Sequence, residues 1–202
     1  MISGKSDLEL QFRDIIDGSR SYRAERSVTK DIVKFLKESK TIAMILGGIC
    51  SGKSLICEEC ILILQTEGET VYSLQSKFND LLPEAKKIIL NSPDAILAID
   101  NCYSLKADLR EIVKTAAEVG MRLLLSSRTL AHDSEEDLRV NFGRETTYHT
   151  FDTEVLDDVE GRAIISCTDR ISGWGSSVSG EAQKRRILGS EPIKLLVSGH
   201  FH

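Results

Sequence analysis

The chain has no run approaching the roughly 18 apolar residues that a membrane-spanning helix requires, and its opening residues, "MISGKSDLEL", lack the apolar stretch of a secretory signal. Both absences point to a cytoplasmic protein with no membrane partner. Positive charge is also in short supply. Against 31 Asp and Glu there are 26 Lys and Arg, leaving a net charge of −5, and no basic stripe stands out to neutralise phosphates. Direct nucleic-acid binding is therefore not expected. A zinc site is missing too: Cys57 and Cys60 form a CxxC, but no second CxxC or His pair completes it. The two lie on one face of an apolar helical stretch, so they read as buried free thiols.

What the chain does have is room for one α/β domain and a small appended subdomain, at 202 residues. The stretch "ILGGICSGKSLI" (45–56) contains every fixed position of G-x-x-x-x-G-K-[ST]: Gly47, Gly52, Lys53 and Ser54. Such a loop works only between a buried strand and a helix, because backbone N–H groups and the helix N-terminus must converge on the phosphates. "TIAMIL" (41–46) predicts the strand, and "KSLICEECILILQ" (53–65), free of Gly and Pro, predicts the helix. Glycines let the backbone approach phosphate without a Cβ clash. Lys53 supplies a cation for the β- and γ-phosphates, and the Ser54 hydroxyl a Mg²⁺ ligand. A second "GKS", at residues 4–6, has no preceding strand and no first glycine, and is set aside. The nucleotide-contacting set is then Gly47, Gly48, Ile49, Cys50, Ser51, Gly52, Lys53, Ser54 and Leu55. Cys50 has two readings: a thiol activated by Lys53 and the helix N-terminus, or a small apolar filler turned into the core.

Elsewhere, helices are expected at 27–39, 82–91 (Pro83 in its first turn) and 106–120 (closed by Gly120), and strands at 70–74, 94–101, 121–128 and 145–151. Strands alternating with helices imply a parallel sheet covered on both faces. Asp100 ends the apolar strand "DAILAIDN" and fits a Walker B aspartate holding Mg²⁺ beside Ser54. The next residue, Asn101, stands where fast ATPases place Glu; an amide can orient water but cannot take its proton. Slow hydrolysis or tight nucleotide retention follows. Arg128, at the end of "LLLSSR", would share the ligand-binding carboxyl edge and could stabilise γ-phosphate charge.

"YRAER" (22–26), "GGICSGKS", "LAIDN", "LLLSSR" and "TFDTEVLDDVEGRAIISCTDRISGWG" (150–175) together resemble the STAND class of P-loop ATPases. These are nucleotide-gated signalling switches that include NB-ARC-like and prokaryotic antiviral-defence proteins. The resemblance spans roughly residues 20–196 and implies an α/β P-loop NTPase sheet whose Walker B strand is separated from the loop strand. A small helical lid would follow. It divides the chain into an N-terminal extension (1–20), a nucleotide-binding core (21–151) and a helical lid region (152–202). It also implies ATP or ADP and Mg²⁺ as cofactors, Arg23 and Arg26 near the base, and self-association or a partner chain or effector domain. Members usually continue into a winged helix and sensor repeats, whereas this sequence stops at "SGHFH". Three readings stay open there: a core from a larger protein, a truncated product, or a stand-alone partner. Two other functions compete with the switch, a small-molecule or nucleotide kinase and a nonenzymatic nucleotide-binding scaffold.

Overall fold

A computed structural model describes residues 24–39, 41–48, 51–75, 81–105, 107–128, 142, 146–170, 174 and 178–190. The elements run α1 (Ser27–Glu38), β1 (Ile42–Gly47), α2 (Lys53–Thr66), β2 (Val71–Gln75), α3 (Leu81–Asn91), β3 (Ile96–Asp100), α4 (Ala107–Val119), β4 (Arg122–Arg128), β5 (Tyr148–Asp152), α5 (Asp158–Arg170) and α6 (Glu181–Ser190). A short 3-10 turn, Cys102–Leu105, follows β3. The expected strands and helices of the core all form, with ends displaced by a few residues; the 3-10 turn was not foreseen.

The chain divides into two compact units. The larger holds Val28–Gly48 and Gly52–Glu154; the smaller holds Met1–Ser27, Ile49–Ser51 and Val155–His202. In the larger unit five strands pair in the order β2-β3-β4-β1-β5, every pairing parallel. Successive strand residues point to opposite faces, so apolar runs feed two cores at once. Ile42, Met44, Leu97, Ile99, Leu123 and Leu125 pack with α3 and α4 through residues such as Ile89 and Ile112. Ala43, Ile45, Ile96, Ala98 and Leu124 pack on the other face with Ile32 and Leu36 of α1 and Ile56, Cys57, Cys60 and Leu64 of α2. Both cysteines of the CxxC are thus buried in an apolar layer, as the sequence implied. This is the α/β architecture expected, and β4 does separate the loop strand from the strand ending in Asp100.

Arg122 closes the amino-terminal edge of the sheet. Its guanidinium donates to the Leu36 carbonyl (3.1 Å), the Asp94 carbonyl (2.7 Å) and Glu69 Oε2 (2.7 Å). One side chain therefore ties the end of α1 to the loops that enter β2 and β3. The hydrogen bond from Arg122 holds the Glu69 carboxyl below its ordinary range.

The smaller unit is organised around α5. Asp157 Oδ1 accepts from the N–H groups of Val159 (2.8 Å) and Glu160 (2.7 Å), and Glu160 Oε2 accepts from Asp157 N–H (3.2 Å), a reciprocal capping box. The other oxygen of Glu160 accepts from the Ser27 backbone N–H (2.6 Å) and hydroxyl (2.9 Å), and lies 3.4 Å from Arg26 Nε. Further along, Ile165, Trp174 and Val178 form a small apolar cluster against Ile187 and Leu188 of α6. Lys184 spans from Asp169 to the face of Trp174, 5.7 Å from the ring centre. The boundary between units falls at Glu154–Val155, and residues 24–27 group with the C-terminal segment.

Candidate functional site

Strand β1 ends at Gly47, and α2 opens at Lys53 behind Gly52. Gly52 has φ +86°, the left-handed region, with nothing within 4 Å of where a Cβ would stand. Glycine is needed there for its backbone, not for space. It brings no side chain to cap α2, and the first helical turn carries no acid. The positive end of the helix dipole therefore meets no capping carboxylate from its own first turn. Lys53 Nζ donates to the Gly48 carbonyl, folding the lysine back over the loop. Ser54 and Leu55 are exposed, Ser51 is buried, and a Cβ on Gly48 would lie 2.7 Å from Glu154 Oε1. Ile49 and Cys50 lie outside the described residues, as does Arg23.

Register decides what meets the loop. Gly47 pairs with Arg128, the exposed last residue of β4, so the arginine's Cα sits one strand away from the loop's first glycine. Asp100, half-buried, ends β3 on the far side of β4. Two inter-strand spacings put it roughly 10 Å from β1 along the sheet. That gap suits a phosphate group and a hydrated cation better than a direct contact between loop and acid.

Asp100 does not stand alone. Ser126, in the apolar run of β4, donates its hydroxyl to Asp100 Oδ1 and accepts the Asn101 backbone N–H at 2.9 Å. Asn101 has φ +54°, a left-handed conformation that Asn tolerates better than most residues. The amide read from sequence as a missing base thus also has a backbone reason to be Asn. Around this acid the Cys57 and Cys102 thiols are held in their protonated form. Burial first, then the Asp100 charge, pushes Cys57 well above its ordinary value and Cys102 up to about 12.

Arg26, which the resemblance placed near the base, is buried and held by Glu160 within the smaller unit. Sequence reasoning missed Glu160 and Asp157. The signal was present as D-x-x-E in "DDVE". Ser126 lay within the run "LLLSSR", but its partners on the neighbouring strand end carry no local signal. Among the described residues no three His, Cys, Asp or Glu cluster as a metal cage. The available cation donors are instead hard oxygens, Ser54 and Asp100, the kind that Mg²⁺ accepts alongside phosphate oxygens and water.

A parallel sheet in this order, with a G-x-x-x-x-G-K-S loop between its central strand and a helix, is a P-loop NTPase fold. Two solved structures carry the comparison to particular proteins. A DNA replication initiation factor superposes with a TM-score of 0.51 at 13% identity, over 84% of this chain and 57% of that one. AMPPCP-bound DnaA from Aquifex aeolicus superposes with a TM-score of 0.50 at 12% identity, again over 84% and 57%. This chain thus spans under three fifths of either neighbour's length, and at these identities the likeness is one of fold. No protein-family model and no curated relative matches the sequence.

Proposed function

We propose that the chain is an ATP- and ADP-binding regulatory module that hydrolyses slowly, its nucleotide state controlling association with itself or with a partner chain. One observation carries this. The phosphate loop, Asp100 and Arg128 lie at the carboxyl ends of three adjacent parallel strands, the edge where ligands of open α/β sheets bind. The AMPPCP in one structural neighbour supports a nucleotide as the ligand.

The residues divide the work by chemistry. Gly47–Gly52 lets backbone N–H groups approach the phosphates, and the N-terminus of α2 attracts their charge. Lys53, now bonded to the Gly48 carbonyl, exchanges that acceptor for phosphate oxygens. Ser54 and Asp100 would hold Mg²⁺, which when bound neutralises charge on the β- and γ-phosphates. Arg128 faces the same edge and offers a second cation for the γ-phosphate. Asn101 orients water without accepting its proton, which keeps turnover slow. A switch that must persist in one nucleotide state needs slow turnover, and the STAND resemblance, with its signalling and antiviral-defence members, fits that requirement.

Calorimetry with ATP and ADP, with and without Mg²⁺, tests binding. Light scattering of the ATP- and ADP-loaded protein, alone and with candidate partners, tests the switch. ADP release that depends on an added acceptor would instead identify a kinase, and the switch reading would be abandoned.

A further inference from the structure

Ser126 is the fifth residue of a strand whose preceding three are Leu123, Leu124 and Leu125, all fully buried, and it is itself 1% exposed. A hydroxyl at such a position costs free energy unless its hydrogen bonds are made. Here both capacities are used, and both go to one neighbouring strand end. The O–H donates to Asp100 Oδ1, and the oxygen accepts the Asn101 N–H at 2.9 Å. The parallel register accounts for the meeting, since Ile99 pairs with Leu125 and the next step along each strand brings Asp100 beside Ser126.

We propose that Ser126 is the positioning residue of the cation site, orienting the Asp100 carboxylate and fixing the left-handed turn at Asn101 through a single hydroxyl. The inference rests on the reading of Asp100 as the group that holds Mg²⁺. With Oδ1 engaged by Ser126, the carboxylate cannot rotate freely about its last bond, and Oδ2 is the oxygen left to face cation or metal-bound water. The same hydroxyl anchors the N–H of the residue that would orient the attacking water, so Asp100 and Asn101 keep a fixed relation. Removing the hydroxyl strips an acceptor from Asn101 and a donor from Asp100 together. Groups that orient a metal's ligands in this way typically change metal affinity by about 10- to 100-fold when lost.

The test uses the full chain, ATP, and Mg²⁺ titrated from zero, reading nucleotide affinity by calorimetry. Ser126→Ala is expected to raise the Mg²⁺ midpoint roughly tenfold while leaving affinity for Mg²⁺-free ATP unchanged, a split that general loosening of the fold would not produce. Ser126→Thr, which keeps the hydroxyl, should bring the midpoint back to within about twofold of the parent. Asp100→Asn runs in parallel. A shifted midpoint for Asp100→Asn with a parental one for Ser126→Ala overturns the positioning role and leaves the proposed function standing. No shift in either overturns the reading of Asp100 and this inference with it. If Ser126→Ala does not fold, Ser126→Cys preserves the volume with a weaker donor. It should give a partial shift, and a parental midpoint there sinks the idea.

Discussion

Strand β4 carries a polar network at each end, and the two ends differ in how completely they are closed. At the amino-terminal edge Arg122 reaches two carbonyls and a carboxylate on three separate segments, all within the larger unit. One acceptor lies near the end of α1 and the other two on the loops that enter β2 and β3, so the network fastens the packing of these segments. At the carboxyl edge Ser126 is satisfied through Asp100 Oδ1 and the Asn101 N–H, and the helix that follows the loop strand carries no acid in its first turn. Under the proposed function the parallel sheet divides its labour: one edge is spent on stability, and the other would be kept for chemistry. Substitutions at the two ends should therefore separate stability from nucleotide affinity.

The largest effect is expected at Lys53. Lys53→Ala removes the cation that meets the phosphates, and nucleotide affinity should fall on the order of a hundredfold, about 2.7 kcal/mol. Melting temperature in the absence of nucleotide should barely move, because the side chain is only half-buried and lies outside both apolar layers. Equal calorimetric affinities for parent and variant would remove the phosphate-loop assignment.

Arg122→Ala is the opposite case. It leaves two backbone carbonyls and the Glu69 carboxylate without their donor, and hydrogen bonds involving charged groups make this a loss of about 2–3 kcal/mol. The expected signature is a drop of roughly 5–10 °C in melting temperature with nucleotide affinity unchanged at a temperature where the variant is folded. A variant that melts normally but binds poorly would erase the distinction between the two edges.

Asn101 tests the boundary between backbone and chemical roles. Its φ of +54° penalises Glu, so Asn101→Glu should lose about 1 kcal/mol of stability, while Asn101→Gly should be close to neutral. If the missing carboxylate is what keeps turnover slow, the Glu variant should hydrolyse ATP faster than the parent in spite of that strain. A parent already turning over at the roughly 10 s⁻¹ of a median enzyme would show that Asn101 is no brake.

How far the sequence reaches can be seen in these same residues. The runs Ile42–Leu46 and Leu123–Leu125 announced buried strands because both faces of a parallel sheet are covered. Gly52 and Lys53 were legible because their spacing is fixed by the loop itself. The partners of Ser126 and Arg122 were not, since each lies on another element and depends on strand order and register. Glu160 shows both sides: its capping box with Asp157 is local and readable, whereas its bonds to Ser27, 133 residues earlier, are not. The turn after Asp100 escaped because four residues are too few to show a helical period.

The smallest effect is a pH dependence at the closed edge. Glu69 has its carboxyl held below the ordinary value of 4.5, chiefly by the hydrogen bond from Arg122. A lowered folded-state pKa means that the unfolded chain takes up the proton first as pH falls. The stabilisation is therefore complete above about pH 5, starts to decline near the unfolded value and is lost as pH drops through the folded one. Glu69 is partly solvated, its side chain 26% exposed, so screening keeps the contribution below about 1 kcal/mol. Glu69→Gln should unfold at lower denaturant than the parent at pH 7, and the gap between the two should shrink as pH falls below about 4. Taking the difference between two chains cancels the other carboxylates, which titrate alike in both. High salt at pH 7 should narrow the gap in the same direction, and neither treatment should separate the two chains in nucleotide affinity. A gap that stays constant from pH 7 to 3 would mean that Arg122 holds the edge through its two carbonyl bonds alone, and the closed network would then have two effective acceptors.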